Sequence, residues 1–357
     1  MEMERKTNKM SYVRLGNSGL KVSRLILGTM QYGSNEWQPW ILSESIAIEH
    51  IKAAYDLGIQ TFDTADIYSN GITEVVFGNA IKALDLPREE IVIMTKIKHH
   101  VPKSGPSEWF LTTKKDPNAY GYVNQGGLSR KHIFDGVKAS LKRLQVDYID
   151  VLQCHGYDKE TPVEETMTAL HDIIKLGWVR YIGMGSCYAW QFHAMQNYAI
   201  NNKLTPFISM QHQYNLLYRD DEVELIPTLK HFGIGSIPFS GLARGHLSRP
   251  LDEETERSRS DRFYPLYKLG PWSEDEKIIK SVEKVAREKD ISMAQVALAW
   301  VLQQPVVTAP IIGPTSISQL EDLIGAINVS LSTEEIELLE AAYRPRPPKL
   351  VSMALSI

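Results

Sequence analysis

Four ionisable side chains sit at the ends of three short apolar stretches. Asp63 lies in FDTADIYSNG (62–71), with Tyr68 five residues further on. Lys96 closes the apolar part of IVIMTKIK (91–98), and His155 closes YIDVLQCHG (148–156). A carboxylate, a phenol, an amine and an imidazole make up a proton-transfer set. A phenol with a pKa of about 10 keeps its proton at neutral pH but releases it reluctantly. A neighbouring ammonium favours the phenolate and draws that pKa down. The carboxylate would hold the ammonium charged and oriented, and the imidazole can polarise a carbonyl oxygen. Positioned acid catalysis of this kind contributes ~10²–10⁴-fold. Taken singly, each group has a plainer role: an Asp capping a turn, a packed Tyr, a solvated Lys, a core His. Their joint weight depends on whether the fold brings three strand ends to one mouth.

The elements that must do this follow in order. YVRLGNSGLKVS (12–23) alternates about an Asn-Ser-Gly turn and predicts a β-hairpin. Strands are expected at 24–30, 59–64, 91–96, 148–155, 179–186, 206–214, 233–240 and 308–313. Helical periodicity covers 43–58, 72–84, 129–145, 161–177, 188–202, 221–232, 273–289, 292–303, 316–326 and 332–343. Strands that alternate with helices pair in parallel through crossovers. Eight such units predict a (β/α)8 TIM barrel over a single domain, 12–343, with extensions at 1–11 and 344–357. A doubly wound sheet is the rival, but no Gly-x-Gly-x-x-Gly lies between the first strand and helix. A barrel carries its functional residues at the C-terminal ends of its strands, which is where Asp63, Lys96 and His155 fall. Two long loops open on that face. Residues 97–128 contain Trp109, Phe110, Tyr120 and Tyr122, and 246–272 form a polar stretch.

Composition excludes several partners. The net charge of −4 and pI near 6.2 leave no electrostatic footprint for nucleic acid or an anionic membrane surface. Two cysteines, Cys154 and Cys187, are too few for a disulfide framework and suit a reducing, cytoplasmic compartment. No apolar run is long enough to span a bilayer, and MEMERKTNKM does not read as a signal peptide. Other chemistries fare poorly. Cys154 and His155 are strand neighbours that point to opposite faces. Asp63 and Asp66 lack the facing carboxylate that a glycosidase needs. His99 and His100 are adjacent in a loop with no third ligand, so no metal site is expected.

From about residue 12 to 343 the chain resembles the aldo-keto reductases. The resemblance is carried by LGNSGLKVSRLILGTMQYG, FDTADIYSNGITEVVFG, MTKI, YIDVLQCHG, VRYIGMGS, SMQHQYNLL, PFSGLARGHL and PIIGPTSISQLEDLIGA. It is nearest to a fungal, aryl-alcohol dehydrogenase-like branch. It implies that Asp63, Tyr68, Lys96 and His155 are a catalytic tetrad, and that a nicotinamide dinucleotide lies across the barrel mouth. On that likeness Ser186 and Gln211 hold the carboxamide, and Cys187 stands where many members have Asn. Phe239 stacks under the ring. Ser240, Gly241, Leu242 and Arg244 form the phosphate loop. Gly28, Thr29, Met30, Asp63 and Ile312 are further cofactor contacts, and Gly313, Thr315 and Gln319 belong to the segment that meets the adenosine phosphate. NADP is the expected cofactor and NAD stays open, because Thr315 stands where many members carry Arg or Lys, the strong readers of a 2′-phosphate. Leu323 likewise replaces Asn. The expected activity is NADPH-dependent reduction of an aldehyde or ketone, with Tyr32, Trp37 and Trp109 walling a site for an aromatic or bulky carbonyl substrate. A regulatory, cofactor-binding channel subunit and a narrow-substrate reductase of a fungal biosynthetic pathway are the alternatives. Oligomeric state is left open.

Overall fold

The computed structural model describes residues 10–108, 116–264 and 274–345. The alternating segment at the N-terminus forms the expected hairpin, β1 (Tyr12–Arg14) against β2 (Lys21–Ser23), antiparallel with Tyr12 opposite Ser23. The apolar runs that follow become β3 (Ile26–Gly28), β4 (Thr61–Asp63), β5 (Val92–Ile97), β6 (Ile149–Cys154), β7 (Val179–Gly185), β8 (Ser209–Gln211), β9 (Gly235–Ser236) and β10 (Ile311–Ile312). All pair in parallel, in the order β10-β3-β4-β5-β6-β7-β8-β9. The ends meet as well: Thr308 N–H donates to Ser236 O (2.8 Å) and Ile311 N–H to Pro238 O (2.8 Å). The sheet is therefore a closed (β/α)8 barrel.

Crossovers are made by α1 (Glu44–Asp56), α2 (Ile72–Ala83), α3 (Arg130–Leu144), α4 (Val163–Lys175), α5 (Ala189–Asn201) and α6 (Leu225–Phe232). The longer last crossover contains α7 (Glu256–Ser260), α8 (Asp275–Lys289) and α9 (Met293–Gln303), and α10 (Ile317–Gly325) and α11 (Thr333–Glu340) follow β10. Several starts are capped as their sequences predict. Ser129, Ser292 and Ser316 each accept a backbone N–H three residues on, and Ser332 and Glu335 cap one another reciprocally.

Strand periodicity sorts the side chains into two layers. Ile26, Met94, Val151 and Ile237 point into the barrel and pack with Leu15 and Val22 of the hairpin. Leu27, Phe62, Ile93, Ile97, Leu152 and Cys154 point outward into the layer shared with the helices. Leu15 and Val22 thus plug the end of the barrel at which the strands begin. The approach is close enough to require glycine: at Gly16 (φ +58°) a Cβ would stand 2.5 Å from Gly235 N. The opposite end stays open, and the same alternation continues there. One step beyond Met94 on the inner face is Lys96. One step beyond Val151 is Gln153, and one step beyond Thr61 is Asp63.

Some strands are shorter than their sequences predict. β8 holds three residues where 206–214 is expected, and β9 two where 233–240 is expected. Pro238 has no N–H to give to a ladder, and the chain beyond β8 and β9 continues only as a single bridge, Gln213 to Phe239. The 246–272 stretch carries the short helix α7 within its described part, capped reciprocally by Thr255 and Ser258. Among the described residues no helix is long and apolar enough to cross a membrane.

Candidate active site

The inward layer at the open end converges on one charged knot. Lys96 Nζ donates to Asp63 Oδ2 (2.5 Å), to Thr64 O (2.8 Å) and to Tyr68 Oη (3.3 Å), so all three ammonium protons are used. Asp63 Oδ1 accepts from the side-chain amides of Gln153 (2.9 Å) and Gln211 (2.9 Å). Gln211 also donates to Gln153 Oε1 (3.0 Å). Lys96 is 1% exposed and Asp63 2%. A buried pair of charges survives only with this kind of complete hydrogen bonding.

Tyr68 reaches the knot from a turn that ordinary backbone disfavours. Ser69, Asn70 and Gly71 follow it with φ of 47°, 53° and 93°, three successive left-handed residues. Their neighbours hold them there. Asn70 Nδ2 donates to the carbonyls of Gly105 (2.9 Å) and Glu108 (2.8 Å), and Ser69 Oγ accepts from Ser34 N–H (3.3 Å). Strain confined by such contacts is typical of functional positions. Because the phenol oxygen accepts from Lys96, its own O–H is left to donate elsewhere.

His155 stands edge-on to Tyr68, with ring centroids 6.0 Å apart at 85°. Its Nδ1 is buried with no partner among the described residues. Burial, then the nearby His99, Lys96 and Lys98, push the imidazole well below its usual range, so it is neutral at neutral pH. The phenol runs against the simple expectation from charge. Lys96 does draw the Tyr68 pKa down, but burial is the larger influence and the net direction is up. Lys96 itself is pushed up. Burial, the largest single influence, opposes its charge, but Asp63 and Tyr68 together outweigh it. The resting state is therefore an ammonium beside a protonated phenol.

These groups lie in a cleft of about 780 Å³, within the range of small-molecule sites. Asp63, Tyr68, Lys96 and His155 all line it. So do Gly28, Thr29, Met30, Ser186, Gln211, Phe239, Ser240, Gly241, Leu242, Arg244, Ile312, Gly313, Thr315, Gln319 and Trp37. Two expected residues do not. Cys187 is 1% exposed and packs in the outer hydrophobic layer beside α5, where burial raises its thiol pKa. Tyr32 is also 1% exposed. It lies in that same layer, edge-on to His50 of α1. Trp109 and Phe110 lie outside the described residues. Tyr122 Oη accepts from Lys103 N–H (3.0 Å) and donates to Glu108 (3.1 Å), and Tyr120 is exposed.

Two further residues at this end are not among the expected cofactor or substrate contacts. Gln153 bonds Asp63 without being part of the cleft lining, and its polar side chain in an apolar strand would be costly without that partner. His99 lines the cleft itself. Trp37, Trp40 and Ile41 form an apolar patch with Met30, Tyr68 and Phe263 packed on it. Further along, Arg244, Arg249 and Arg257 face the cleft. Arg244 and Arg257 both pair with the buried carboxylate of Asp261. The loop bearing Arg244 takes left-handed φ at Ser240, Ala243 and Arg244. At the far end Thr315 donates N–H and Oγ1–H to Gln319 Oε1 (2.8 and 3.0 Å), just ahead of α10. The cleft lining thus joins the Lys96 knot, aromatic side chains, three guanidinium groups and the residues just ahead of a helix N-terminus. A long, anionic, phosphate-bearing cofactor fits that set of groups.

Residues 24–344 match the Aldo/keto reductase family. The chain is 45% identical over 339 residues to the versiconal hemiacetal acetate reductase of Aspergillus parasiticus, covering 94% of this chain and 98% of that protein. It is 44% identical over 336 residues to a Saccharomyces cerevisiae protein described as a candidate aryl-alcohol dehydrogenase, covering 94% and 97%. It is 43% identical over 349 residues to the aldo-keto reductase dtxS3 of Metarhizium robertsii, covering 95% and 92%. A barrel of this topology, matched over most of its length, belongs to the Aldo/keto reductase family: the chain is an oxidoreductase of the kind that reduces carbonyls with a nicotinamide dinucleotide.

Proposed function

We propose that this protein reduces an aromatic or otherwise bulky aldehyde or ketone to the alcohol, with NADPH as reductant. The observation that carries the reading is Lys96 Nζ bridging the Asp63 carboxylate (2.5 Å) and the Tyr68 hydroxyl (3.3 Å) beside a neutral His155.

In that reading His155 donates a hydrogen bond to the substrate oxygen. When bound, the reduced nicotinamide supplies a hydride to the carbonyl carbon. As negative charge grows on the oxygen, Tyr68 gives it the phenolic proton and becomes a phenolate. Lys96, held charged by Asp63, stabilises that phenolate until solvent returns the proton. Gln153 and Gln211 keep Asp63 from turning away. Trp37 and Trp40 give the substrate an apolar wall, which supports an aromatic or bulky carbonyl. Arg249, together with Arg244 and Arg257 that share the Asp261 carboxylate, leaves the cleft lining net positive, and this supports a phosphate-bearing nicotinamide cofactor; NADPH is the form the family resemblance favours.

The names of relatives support a second, narrower reading. One is named for a specific hemiacetal acetate, so a dedicated biosynthetic substrate is the alternative to a general reductase. A panel of aliphatic, aromatic and polycyclic carbonyls, assayed with NADPH and NADH by loss of nicotinamide absorbance, tests all of this. Turnover spread over many aromatic aldehydes supports the general reading, and one favoured substrate supports the dedicated one. A preference for NADH would overturn the cofactor assignment. No turnover with any carbonyl would favour a cofactor-binding, regulatory role.

A further inference from the structure

The histidine doublet just past Lys96 splits in two. His100 packs against Gly126, where an added Cβ would stand 2.3 Å from its ring, and it is not part of the cleft lining. His99 faces the cleft. Its ring stands edge-on to His155, centroids 4.8 Å apart at 71°, and His155 in turn stands edge-on to Tyr68. The three rings make a polar row. The wall on the other side of Tyr68 is apolar, with Trp37 tilted against it at 6.4 Å. The reacting oxygen therefore has a greasy neighbour on one side and an imidazole on the other.

His99 makes no hydrogen bond through its ring to any described residue. It is also neutral: burial first, then Lys98, His100 and His132, lower its pKa to about 3. One nitrogen can donate and the other can accept. A phenylalanine would pack this wall as well and would leave no polar group without a partner. The ring is only partly buried and its nitrogens open on the cleft, so a ligand oxygen entering the cleft can take the place that water holds there.

Building on the proposed carbonyl reduction, we propose that His99 is a specificity-determining residue that hydrogen-bonds a second oxygen of the substrate, adjacent to the carbonyl that His155 holds. The matching class is carbonyl compounds with a neighbouring hydroxyl or second carbonyl, such as 2-hydroxyaryl aldehydes and vicinal dicarbonyls. Two oxygens roughly 3 Å apart, the spacing of a hydrogen bond, can each meet one of two adjacent imidazoles.

The test compares wild type, His99→Phe and His99→Gln on 2-hydroxybenzaldehyde and benzaldehyde. The ratio of kcat/KM for the two substrates removes their intrinsic reactivity when variants are compared. His99→Phe is expected to lower that ratio about 10- to 100-fold, chiefly through KM for the hydroxylated substrate. His99→Gln, which can still donate and accept, should recover part of it. An unchanged ratio overturns the proposal. An equal loss on both substrates also overturns it, because it would make His99 only a support for His155. Binding separates this inference from the reaction itself. In tryptophan-fluorescence titrations of the NADPH complex, 2-hydroxybenzamide should bind more tightly than benzamide to wild type but not to His99→Phe. Absence of that preference in wild type sinks the inference even if aldehydes are reduced. Its presence supports the inference even if they are not. A melting curve for each variant confirms that it is folded.

Discussion

Hydrogen-bonded chains of acid, base and hydroxyl run through this barrel. One is Asp63, Lys96 and Tyr68. A second is Asp221, His212 and Ser236: His212 Nδ1 meets Asp221 Oδ2 at 2.7 Å, and Nε2 meets Ser236 Oγ at 2.9 Å. By residue type and connectivity the second has the look of a nucleophile with its base and orienting acid. Yet none of its three members is part of the cleft lining, and Ser236 is wholly buried. The first chain ends on a phenol that opens into a large cleft. The contrast teaches that a proton relay becomes a site through what its last member faces. The same chemistry, sealed in, is a structural tie between the start of one loop and the edge of β9.

That contrast can be broken at several points. Lys96→Met should have the largest effect, because it removes the ammonium and leaves the buried Asp63 carboxylate unpaired. Carbonyl reduction should be lost, and denaturant unfolding should report a cost of roughly 3–5 kcal/mol. A stable, active Lys96→Met enzyme would mean that the knot is not needed. His155→Leu removes the group proposed to donate to the substrate oxygen. Its kcat should fall about 10²–10³-fold with thermal stability little changed, and stopped-flow single turnovers can show whether the loss lies in the chemical step.

Acid stability comes next. Burial, then the positive groups around them, hold His155 and His99 below the ordinary imidazole value of 6.5. The unfolded chain takes up protons as pH falls below 6.5, whereas these folded sites resist. Stability should therefore be complete above pH 6.5 and decline below it, by roughly 1 kcal/mol per pH unit for His99. Melting temperatures at pH 7.5 and 5.5 check this, and His99→Phe should lose less between them than wild type. Equal losses would contradict the assignment. The smallest effect is expected at the sealed chain. Ser236→Ala should cost about 1 kcal/mol of stability and leave kcat and KM within a factor of two. A kinetic defect there would erase the distinction between the two chains.

Much of the active end was legible because chemistry and periodicity agree there. Asp63, Lys96 and His155 each close an apolar run, and a barrel sends such residues to one face. The outward turn of Cys154, next to His155, followed from the same alternation. What stayed hidden depended on direction within loops, where no period applies. Tyr32 and Trp37 are five apart in one loop. Tyr32 turns behind the barrel toward His50, and Trp37 turns into the cleft. Cys187 sits one residue past Ser186, whose strained φ of 23° carries the chain round so that only Ser186 reaches the cleft. Gln153 was not singled out, because its pairing with Asp63 needs the register Lys96 opposite Gln153, which only strand pairing supplies. The net rise in the Tyr68 pKa was hidden for another reason. A sequence shows the charge of Lys96 but not the depth at which the phenol is buried.

The most direct measurement is a comparison of Tyr68→Phe with wild type under saturating NADPH and an aromatic aldehyde, together with the cofactor dissociation constant from fluorescence. Removing one oxygen should lower kcat by about 10²–10⁴-fold and leave cofactor affinity and melting temperature close to wild type. Reduction that continues within a few-fold of the wild-type rate would mean that the proton comes from elsewhere and that the Asp63, Lys96 and Tyr68 relay is not the source of the activity.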